Sequence, residues 1–322
     1  MTDGAAGSLN QCLGLAQHLG VTPIIKRIQL RSPWRQLAPH ILRGASRAAL
    51  AATSDPLDPP WPDLVIASGR RTIPAALYLR KASRKGGAKG CLTVQIQAPP
   101  LGARGFDLIV APKHDRLRGP QVINTLGALN GVTPEGLAQA RRIWSPRFAH
   151  LPRPLVAVLI GGNSRSHQLP PQAAAALGIR LAAMSKTSGA GLLVTTSRRT
   201  GTESAAILRE TLQDCPAWFW DGQGENPYMG FLAVADTVIV TADSTSMISE
   251  ACTAGKPVLV AEIPGGSSKF RRFHENLQAS GFTRPFQGKY ETWSRHALNE
   301  TAAVAAHLRG LLARHINPRE TP

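Results

Sequence analysis

The chain is short of acid, of aromatic side chains and of long apolar runs, and each shortage excludes something. Aromatics make up 5% of its 322 residues, too few for the stacking platforms that hold single-stranded nucleic acids. No helix-turn-helix or other reader motif is present, so no nucleic acid is expected as a partner. No apolar run is long enough to span a bilayer, and the opening MTDGAAGS has neither the basic start nor the apolar core of a secretory signal. The four cysteines, Cys12, Cys91, Cys215 and Cys252, form no CxxC pair and no zinc spacing, which suits free thiols in a reducing compartment. His167, His274 and the other histidines lack ligand spacing, so no metal site is expected. Ser68 and Ser164 sit in no GxSxG elbow, and no hydrolase triad is read. Taken together, these absences point to a cytoplasmic protein.

The scarcity of acid is uneven. There are 37 Lys and Arg against 20 Asp and Glu, a net charge of +17. Residues 1–150 hold 20 basic and 7 acidic residues, a balance of +13, and the remainder 17 and 13, only +4. Arg (28) far outnumbers Lys (9); compositional bias accounts for that ratio but not for one half being so much more basic. A basic half suits a polyanionic neighbour: anionic lipid, a phosphorylated acceptor or, by charge alone, nucleic acid. Within it, Arg31–Leu50 carries a helical stripe of Trp34, Leu37, Ile41, Ala45 and Ala48, interrupted by Pro39, with Arg35, Arg43 and Arg47 elsewhere around it. Such a segment either lies on an anionic membrane surface or packs its stripe on a sheet.

At 43% hydrophobic and 18% charged, the chain has the material for two cores. Ala235–Pro264, ADTVIVTADSTSMISEACTAGKPVLVAEIP, reads as one unit: a strand over Thr237–Val240, a polar turn, a helix over Ser246–Ala254 closed by Gly255, and a strand over Pro257–Ile263. That is the βαβ unit of a parallel sheet. The same alternation gives strands at Pro23–Leu30, Asp63–Ala67, Leu92–Ile96, Leu108–Val110 and Val122–Asn124, then at Leu155–Ile160, Leu192–Thr195 and Trp218–Trp220. Helices are read over Leu9–Leu19, from Ser68 through Leu79, and over Thr133–Trp144, Pro171–Met184, Glu203–Leu212, Phe270–Ala279 and Thr292–Ala313. The fold class expected is α/β, with two tandem Rossmann-like domains facing each other across a cleft. Pro-rich Ser145–Pro154 marks the boundary, giving domains 1–150 and 151–322, with the last helix packing back on the seam. The Gly-rich opening loop has almost no chain before it, so either the first strand of that sheet is missing or the start lies upstream.

In open parallel sheets ligands sit outside the carboxyl ends of the strands. In the second half those ends carry Gly161, Gly162, Asn163, Ser164 and Arg165, then Ser197 and Arg198, then Asp243, Ser244, Thr245 and Ser246, then the GGSSK loop ending in Lys269. Paired glycines let backbone N–H groups approach a phosphate, a helix start favours an anion, and Arg supplies charge-assisted hydrogen bonds. This is the chemistry of a diphosphate site. In the first half the ends carry Asp3, Gly4, Gly7, Ser8, Asn10 and Gln11 around the opening loop, Ser68, Gly69 and Arg70, and His114. By themselves Ser, Thr and Asp before a helix are ordinary caps, and a Glu at position 250 or a His at 114 is ordinarily a solvated residue.

The segments DGAAGSLNQCLGLAQHLG, NTLGALNGVTPEGL, NPYMGFLAVADTVIVTADSTSMISEACTAGKPV and KFRRFHENLQASGFTRPF resemble bacterial members of the ELM-type mitochondrial fission family over nearly the whole chain. That family takes its name from a plant protein that helps recruit dynamin-like GTPases to mitochondria. Thr245–Pro257 is similar to the donor-domain segment of GT-B glycosyltransferases, with Glu250 at the acid that contacts the donor ribose and Gly255-Lys256-Pro257 as the turn. The resemblance implies a nucleotide-sugar co-substrate in the C-terminal domain, an acceptor in the N-terminal domain, and no catalytic metal or other cofactor. The departing diphosphate would be held by Arg165, Arg198, Lys269 and the helix start at Ser244–Ser246. An inverting reaction needs a base on the acceptor side. Relatives tend to read DGxPGHxNQ there, and this chain has Ser8 at the His position, which shifts the base to Asp3 or His114. The function expected is transfer of a sugar to a cell-envelope polysaccharide or lipid-linked saccharide, at the inner face of the membrane. The alternatives are a nucleotide-sugar epimerase on the same scaffold and a non-catalytic membrane-peripheral adaptor.

Overall fold

The computed structural model describes residues 1–32, 34–37, 49–85, 90–99, 105–220 and 222–316. The chain forms two compact units, Met1–Gly131 with Asn299–Pro322, and Val132–Leu298.

Unit 1 is built on a parallel sheet of β1 (Leu64–Ser68), β2 (Leu92–Ile96), β3 (Leu108–Pro112) and β4 (Val122–Thr125), in that spatial order. Ile28, Val65, Ala67 and Ile109 pack with Ile73, Ala75 and Ala76 of α3 (Ile73–Ala82) on one face. On the other, Val94, Ile96, Leu108 and Val110 pack with Cys12 and Leu15 of α1 (Ala6–Leu19) and with Val304, Ala305 and Leu308 of α10 (Glu300–Ile316). Glu300 fixes the start of α10, accepting from Leu126 N at 2.5 Å and Gly127 N at 2.7 Å. The strand expected over Pro23–Leu30 is reduced to isolated bridges, Thr2 to Arg27 and Leu30 to Leu50. On one side it meets Met1–Thr2, where Thr2 N donates to Lys26 O and Ile28 N to Thr2 O; on the other Ala51 N donates to Gln29 O and Asp55 N to Arg27 O. One bridging residue cannot extend a ladder. Of the stripe expected over Arg31–Leu50, Trp34–Leu37 form a short helix, α2, and residues 38–48, with Ile41, Arg43, Ala45, Arg47 and Ala48, lie outside the described residues.

Unit 2 holds a six-stranded parallel sheet of β5 (Leu155–Ile160), β6 (Gly191–Thr196), β7 (Ala217–Phe219), β8 (Thr237–Thr241), β9 (Val258–Ala261) and β10 (Thr283–Pro285). Its order is β10-β9-β8-β5-β6-β7, the doubly wound Rossmann arrangement, in which the strand order reverses between β5 and β8. α5 (Pro171–Ser188) and α6 (Thr202–Thr211) cover one face around Val156, Val158, Ile160, Leu192, Val194 and Ile239.

The units divide at Gly131/Val132, ahead of the Pro-rich stretch, because α4 (Pro134–Trp144) belongs to the second core. Trp144 stacks on Phe148 with centroids 5.7 Å apart, and Phe148 meets the edges of Trp218 and Phe231. Composition marks the Pro-rich stretch but not the burial of the helix before it. The last helix begins at Glu300 rather than near Thr292, since Leu298 N donates to Cys252 O and Thr253 Oγ1 donates to Leu298 O. Those bonds hold the chain ahead of α10 against α8 (Thr245–Thr253). Two elements escaped the sequence reading, β10 and α7 (Tyr228–Val234). Among the described residues no helix is long and apolar enough to cross a membrane.

α7 lies so close to α4 that a Cβ on Gly230 would fall 2.3 Å from Trp144 Cγ. Gly230→Ala therefore forces α4 and α7 apart. We expect it to destabilise the fold by about 1–3 kcal/mol, read as a lower midpoint in chemical denaturation. A midpoint equal to wild type would show that the two helices are not in this contact.

Candidate functional site

The carboxyl ends of β6, β5 and β8 are tied together by one buried side chain, Asp243. Its carboxylate is fully removed from solvent. It accepts from Gly162 N at 3.0 Å and from Thr241 Oγ1 at 2.7 Å, and it pairs with Arg199 at 2.7 Å. Gly161 N donates to Thr241 Oγ1 at 2.7 Å, and Ser197 Oγ donates to Gly161 O at 2.7 Å. The two glycines are required by this packing. A Cβ on Gly161 would lie 2.2 Å from Asp243 Oδ2, and Gly162, at φ +140°, would place one 2.3 Å from Arg199 O.

In the expected phosphate cradle after β5, the backbone N–H groups of residues 161–164 have partners within the fold. Gly161 N and Gly162 N are spent on Thr241 and Asp243, Asn163 N on Arg199 O, and Ser164 N on His167 O. Asn163 Oδ1 accepts from Leu169 N, and Ser164 Oγ from Ser166 N and His167 N. These residues are braced against their own fold, leaving no run of open N–H groups. Donors toward an anion lie instead at the start of α8. Ser244 caps that helix, its Oγ accepting from Met247 N at 3.4 Å. Thr245 and Ser246, at its first two positions, have no partner for their N–H groups within the turn, as a helix start dictates. Arg165 and Arg198 are exposed on the loops after β5 and β6, and Lys269 is exposed in the first turn of α9 (Ser268–Ala279). The GGSSK loop is joined to the β5 loop through the His167–Gly265 bridge and Gly266 N to Ser166 O.

Glu250 projects from the second turn of α8 and accepts a short hydrogen bond from Tyr228 Oη of α7. Burial pushes its carboxyl up to about 7, against the lowering effect of the tyrosine hydrogen bond. The same burial and the neighbouring carboxyl drive the Tyr228 phenol well above its ordinary value. Only Glu250 Oε2 is engaged by Tyr228, so Oε1 is the atom left to meet a ligand hydroxyl. Lys256 of the Gly-Lys-Pro turn faces away from this chemistry: its Nζ donates to Ala235 O at 2.6 Å and Ala233 O at 3.4 Å, closing the end of α7.

Sequence reasoning missed Arg199, Thr241, Tyr228 and two histidines. Between adjacent arginines it chose Arg198, yet Arg199 reaches Asp243. His167 and His274 flank Phe270, at 4.6 Å and 6.5 Å between centroids. The His274 Nε2–H donates to Ala242 O, directly before Asp243, at 2.9 Å. Burial lowers the His274 pKa, and Nδ1 of both rings is buried without a partner. Nothing in the spacing of positions 167, 243 and 274 signals this convergence.

In unit 1 the predicted acceptor residues come together in part. Gly69, at φ +88°, follows β1, and a Cβ there would sit 3.5 Å from Ser8 Oγ and 3.7 Å from Asp3 Oδ2. Asp3 Oδ1 accepts from Ala5 N, ordering the turn into α1. Ser68 is wholly buried with its hydroxyl unpartnered. Gln95, on the neighbouring strand, donates to Gly69 O and Ile96 O while its Oε1 is unpartnered. Ser8 is buried and Gln11 half-buried, whereas Gly4, Asn10 and Arg70 are exposed and Gly7 half-exposed. His114 is not a solvated loop residue: it is buried, with Nε2 3.7 Å from Asp115 Oδ1.

A family model described as Mitochondrial fission ELM1 matches residues 6–312. The chain is 34% identical over 279 residues to the mitochondrial fission protein ELM1 of Arabidopsis thaliana, a match covering 78% of this chain and 64% of the plant protein. The chain thus spans less than two thirds of that relative's length. It is 29% identical over 290 residues to an uncharacterised protein of Rickettsia prowazekii, covering 78% of this chain and 80% of that one. Among solved structures, one described as a putative UDP-N-acetylglucosamine 2-epimerase from Listeria monocytogenes superposes with a TM-score of 0.51, covering 95% of this chain and 87% of that one at 11% identity. At that identity the likeness is one of fold.

Glu250 gives the site a pH signature. Its folded-state pKa is raised from 4.5 to about 7, so between those values the folded protein holds more protons than the unfolded chain. Stability is therefore lost as pH rises through that window. Glu250→Gln removes the ionisation and keeps an acceptor for Tyr228. We expect Glu250→Gln to match wild type at acid pH and to exceed it above neutrality by up to about 3 kcal/mol. Denaturant midpoints measured across pH check this, and a difference independent of pH contradicts it.

Proposed function

The chain belongs to the mitochondrial fission ELM1 family, and from that premise we propose that it is a GT-B-like, nucleotide-sugar-dependent glycosyltransferase. The observation that carries this reading is the pairing of the open α8 N-terminus with the Glu250–Tyr228 couple one to two turns further on. The two lie at the strand-order reversal of a Rossmann sheet, where such sheets bind nucleotides. A diphosphate would sit on the Thr245 and Ser246 N–H groups, favoured by the helix dipole. Arg165, Arg198 and Lys269 would neutralise it as it departs. Glu250 Oε1 would accept from a ribose hydroxyl. With a carboxyl near neutrality, that contact strengthens once the group ionises. Asp243 contributes no catalysis here; together with Arg199 it holds the β5, β6 and β8 loops in register.

The acceptor is assigned to the carboxyl end of the unit-1 sheet, where Asp3 and Ser8 meet over Gly69. Asp3 is the better candidate for a base, since it is half-exposed, whereas His114 is buried. Transfer to a carbohydrate or lipid-linked saccharide would need the acceptor hydroxyl within hydrogen-bond reach of Asp3. The epimerase alternative uses the same donor site. The adaptor alternative needs no such site, and the ordered polar network around Asp243 and Glu250 argues against it.

Thermal unfolding with UDP-, GDP-, CMP- and ADP-sugars and the free diphosphates tests the reading. A ligand present at about 100 times its Kd should stabilise the fold by roughly 2.7 kcal/mol, a measurable rise in Tm. We expect the rise with one nucleotide class, greatly reduced in Glu250→Ala. A folded protein whose Tm is unmoved by every nucleotide at millimolar concentration would exclude the donor site. A shift retained with the free diphosphate, without sugar release to any saccharide acceptor, would favour the epimerase.

A further inference from the structure

Between α1 and the Thr2–Arg27 bridge, the chain turns its apolar side chains outward. Ile24 is 84% exposed, Val21 48% and Ile25 45%. These are three of the six large apolar side chains exposed among the described residues, and they fall within five positions. α1 stops at Gly20, in the left-handed conformation at φ 77°, and the ring of Pro23 restricts the backbone on either side of it. Scattered exposed apolar residues need no explanation, but a cluster does.

The charge around this cluster is mostly of one sign. From Gly4 to Ser54 the sequence holds no Asp or Glu, while Lys26, Arg27, Arg31 and Arg35 come directly after the isoleucines. Arg27, Arg31 and Arg35 are exposed and Lys26 half-buried. Asp55, the first acid after Asp3, lies against this segment, its Oδ2 accepting from the backbone N of Arg27 at 2.6 Å. An apolar tip with a net basic collar calls for a partner that supplies hydrocarbon and negative charge side by side. Nucleic acid supplies the charge but nothing for the isoleucines. A second copy docking through the same patch would set like charges against each other, since a twofold contact is self-complementary.

We propose that the Val21–Ile25 loop is a membrane wedge that inserts Ile24 and Ile25 among the acyl chains of an anionic lipid surface, with Lys26, Arg27, Arg31 and Arg35 on the headgroups. Small apolar insertions and basic collars each give weak affinity and bind stably in combination. The proposal stands on exposure and charge alone and does not depend on the donor-site reading.

Co-sedimentation of the full chain with vesicles tests it. One set is phosphatidylcholine alone, the other contains roughly a third phosphatidylserine, enough to set up the surface potential on which a basic collar acts. Binding to the anionic vesicles only, weakened by salt, is expected. Ile24→Asp with Ile25→Asp should reduce it roughly tenfold or more, as two apolar contacts are replaced by charges facing anionic lipid. Each of Arg27→Gln, Arg31→Gln and Arg35→Gln should cost about fivefold. Because these side chains are exposed, Tm and the nucleotide-induced Tm shift should stay at wild-type values, separating this result from that of the donor site. Equal binding of wild type and the double variant overturns the wedge, as does no binding of wild type to either vesicle. A dimer in solution that Ile24→Asp dissociates, without vesicle binding, overturns it in favour of a second copy.

Discussion

The order of the loops at the carboxyl edge of the second unit's sheet depends on one buried carboxylate. An isolated carboxylate taken out of water costs several kcal/mol unless charge and hydrogen bonds compensate it. Asp243 is compensated by three donors from three different loops: Gly162 N after β5, Arg199 after β6 and Thr241 Oγ1 at the end of β8. Each loop is therefore held where the carboxylate needs it. Gly161 and Gly162 obey the same constraint, because a Cβ at either would occupy the space of Asp243 or of the Arg199 backbone. A motif that reads as a ligand cradle is, in the folded protein, the brace of the site.

That brace changes where chemistry can happen. With the glycine-loop N–H groups consumed internally, the open donors are those that a helix start cannot satisfy by itself, at Thr245 and Ser246. One to two turns away, Glu250 is buried deeply enough to hold a carboxyl near neutrality, steadied by Tyr228 from α7. α7 is in turn seated by the close approach of Gly230 to Trp144. The position of α4 in the second unit thus bears directly on the geometry of the proposed ribose contact. In the first unit, Ser68 Oγ and Gln95 Oε1 are the buried polar atoms without partners nearest the turn that joins Asp3, Ser8 and Gly69.

The wedge proposal and the donor-site proposal draw on opposite physical resources. The proposed donor site joins an ordered polar network around Asp243 and Glu250 to exposed cations at Arg165, Arg198 and Lys269. The Val21–Ile25 loop, in contrast, is exposed apolar surface beside charge that the chain leaves unbalanced. Both are consistent with the uneven distribution of acid between the two halves, since the acid-rich half is the one that needs carboxylates for its own architecture.

The sequence by itself determined the α/β class and the placement of most strands. Leu92–Ile96 and Leu155–Ile160 fall where their apolar runs begin and end, and the Thr133–Pro134 start of α4 is dictated by capping chemistry alone. These are local preferences, legible because hydrophobic periodicity and caps act over a few residues. It also marked Asp243, Ser244 and Glu250 as a group, since they share one strand–turn–helix. Tertiary structure decided everything that joins distant positions: Arg199 rather than Arg198 on Asp243, Tyr228 on Glu250, His274 against Ala242, and α10 packed with α1. It also decided that the paired glycines serve a carboxylate and that a strand-like Pro23–Leu30 pairs only through isolated bridges. Whether a backbone N–H is free for a ligand, or a strand finds a partner, depends on what the rest of the chain brings beside it, and no local pattern carries that information.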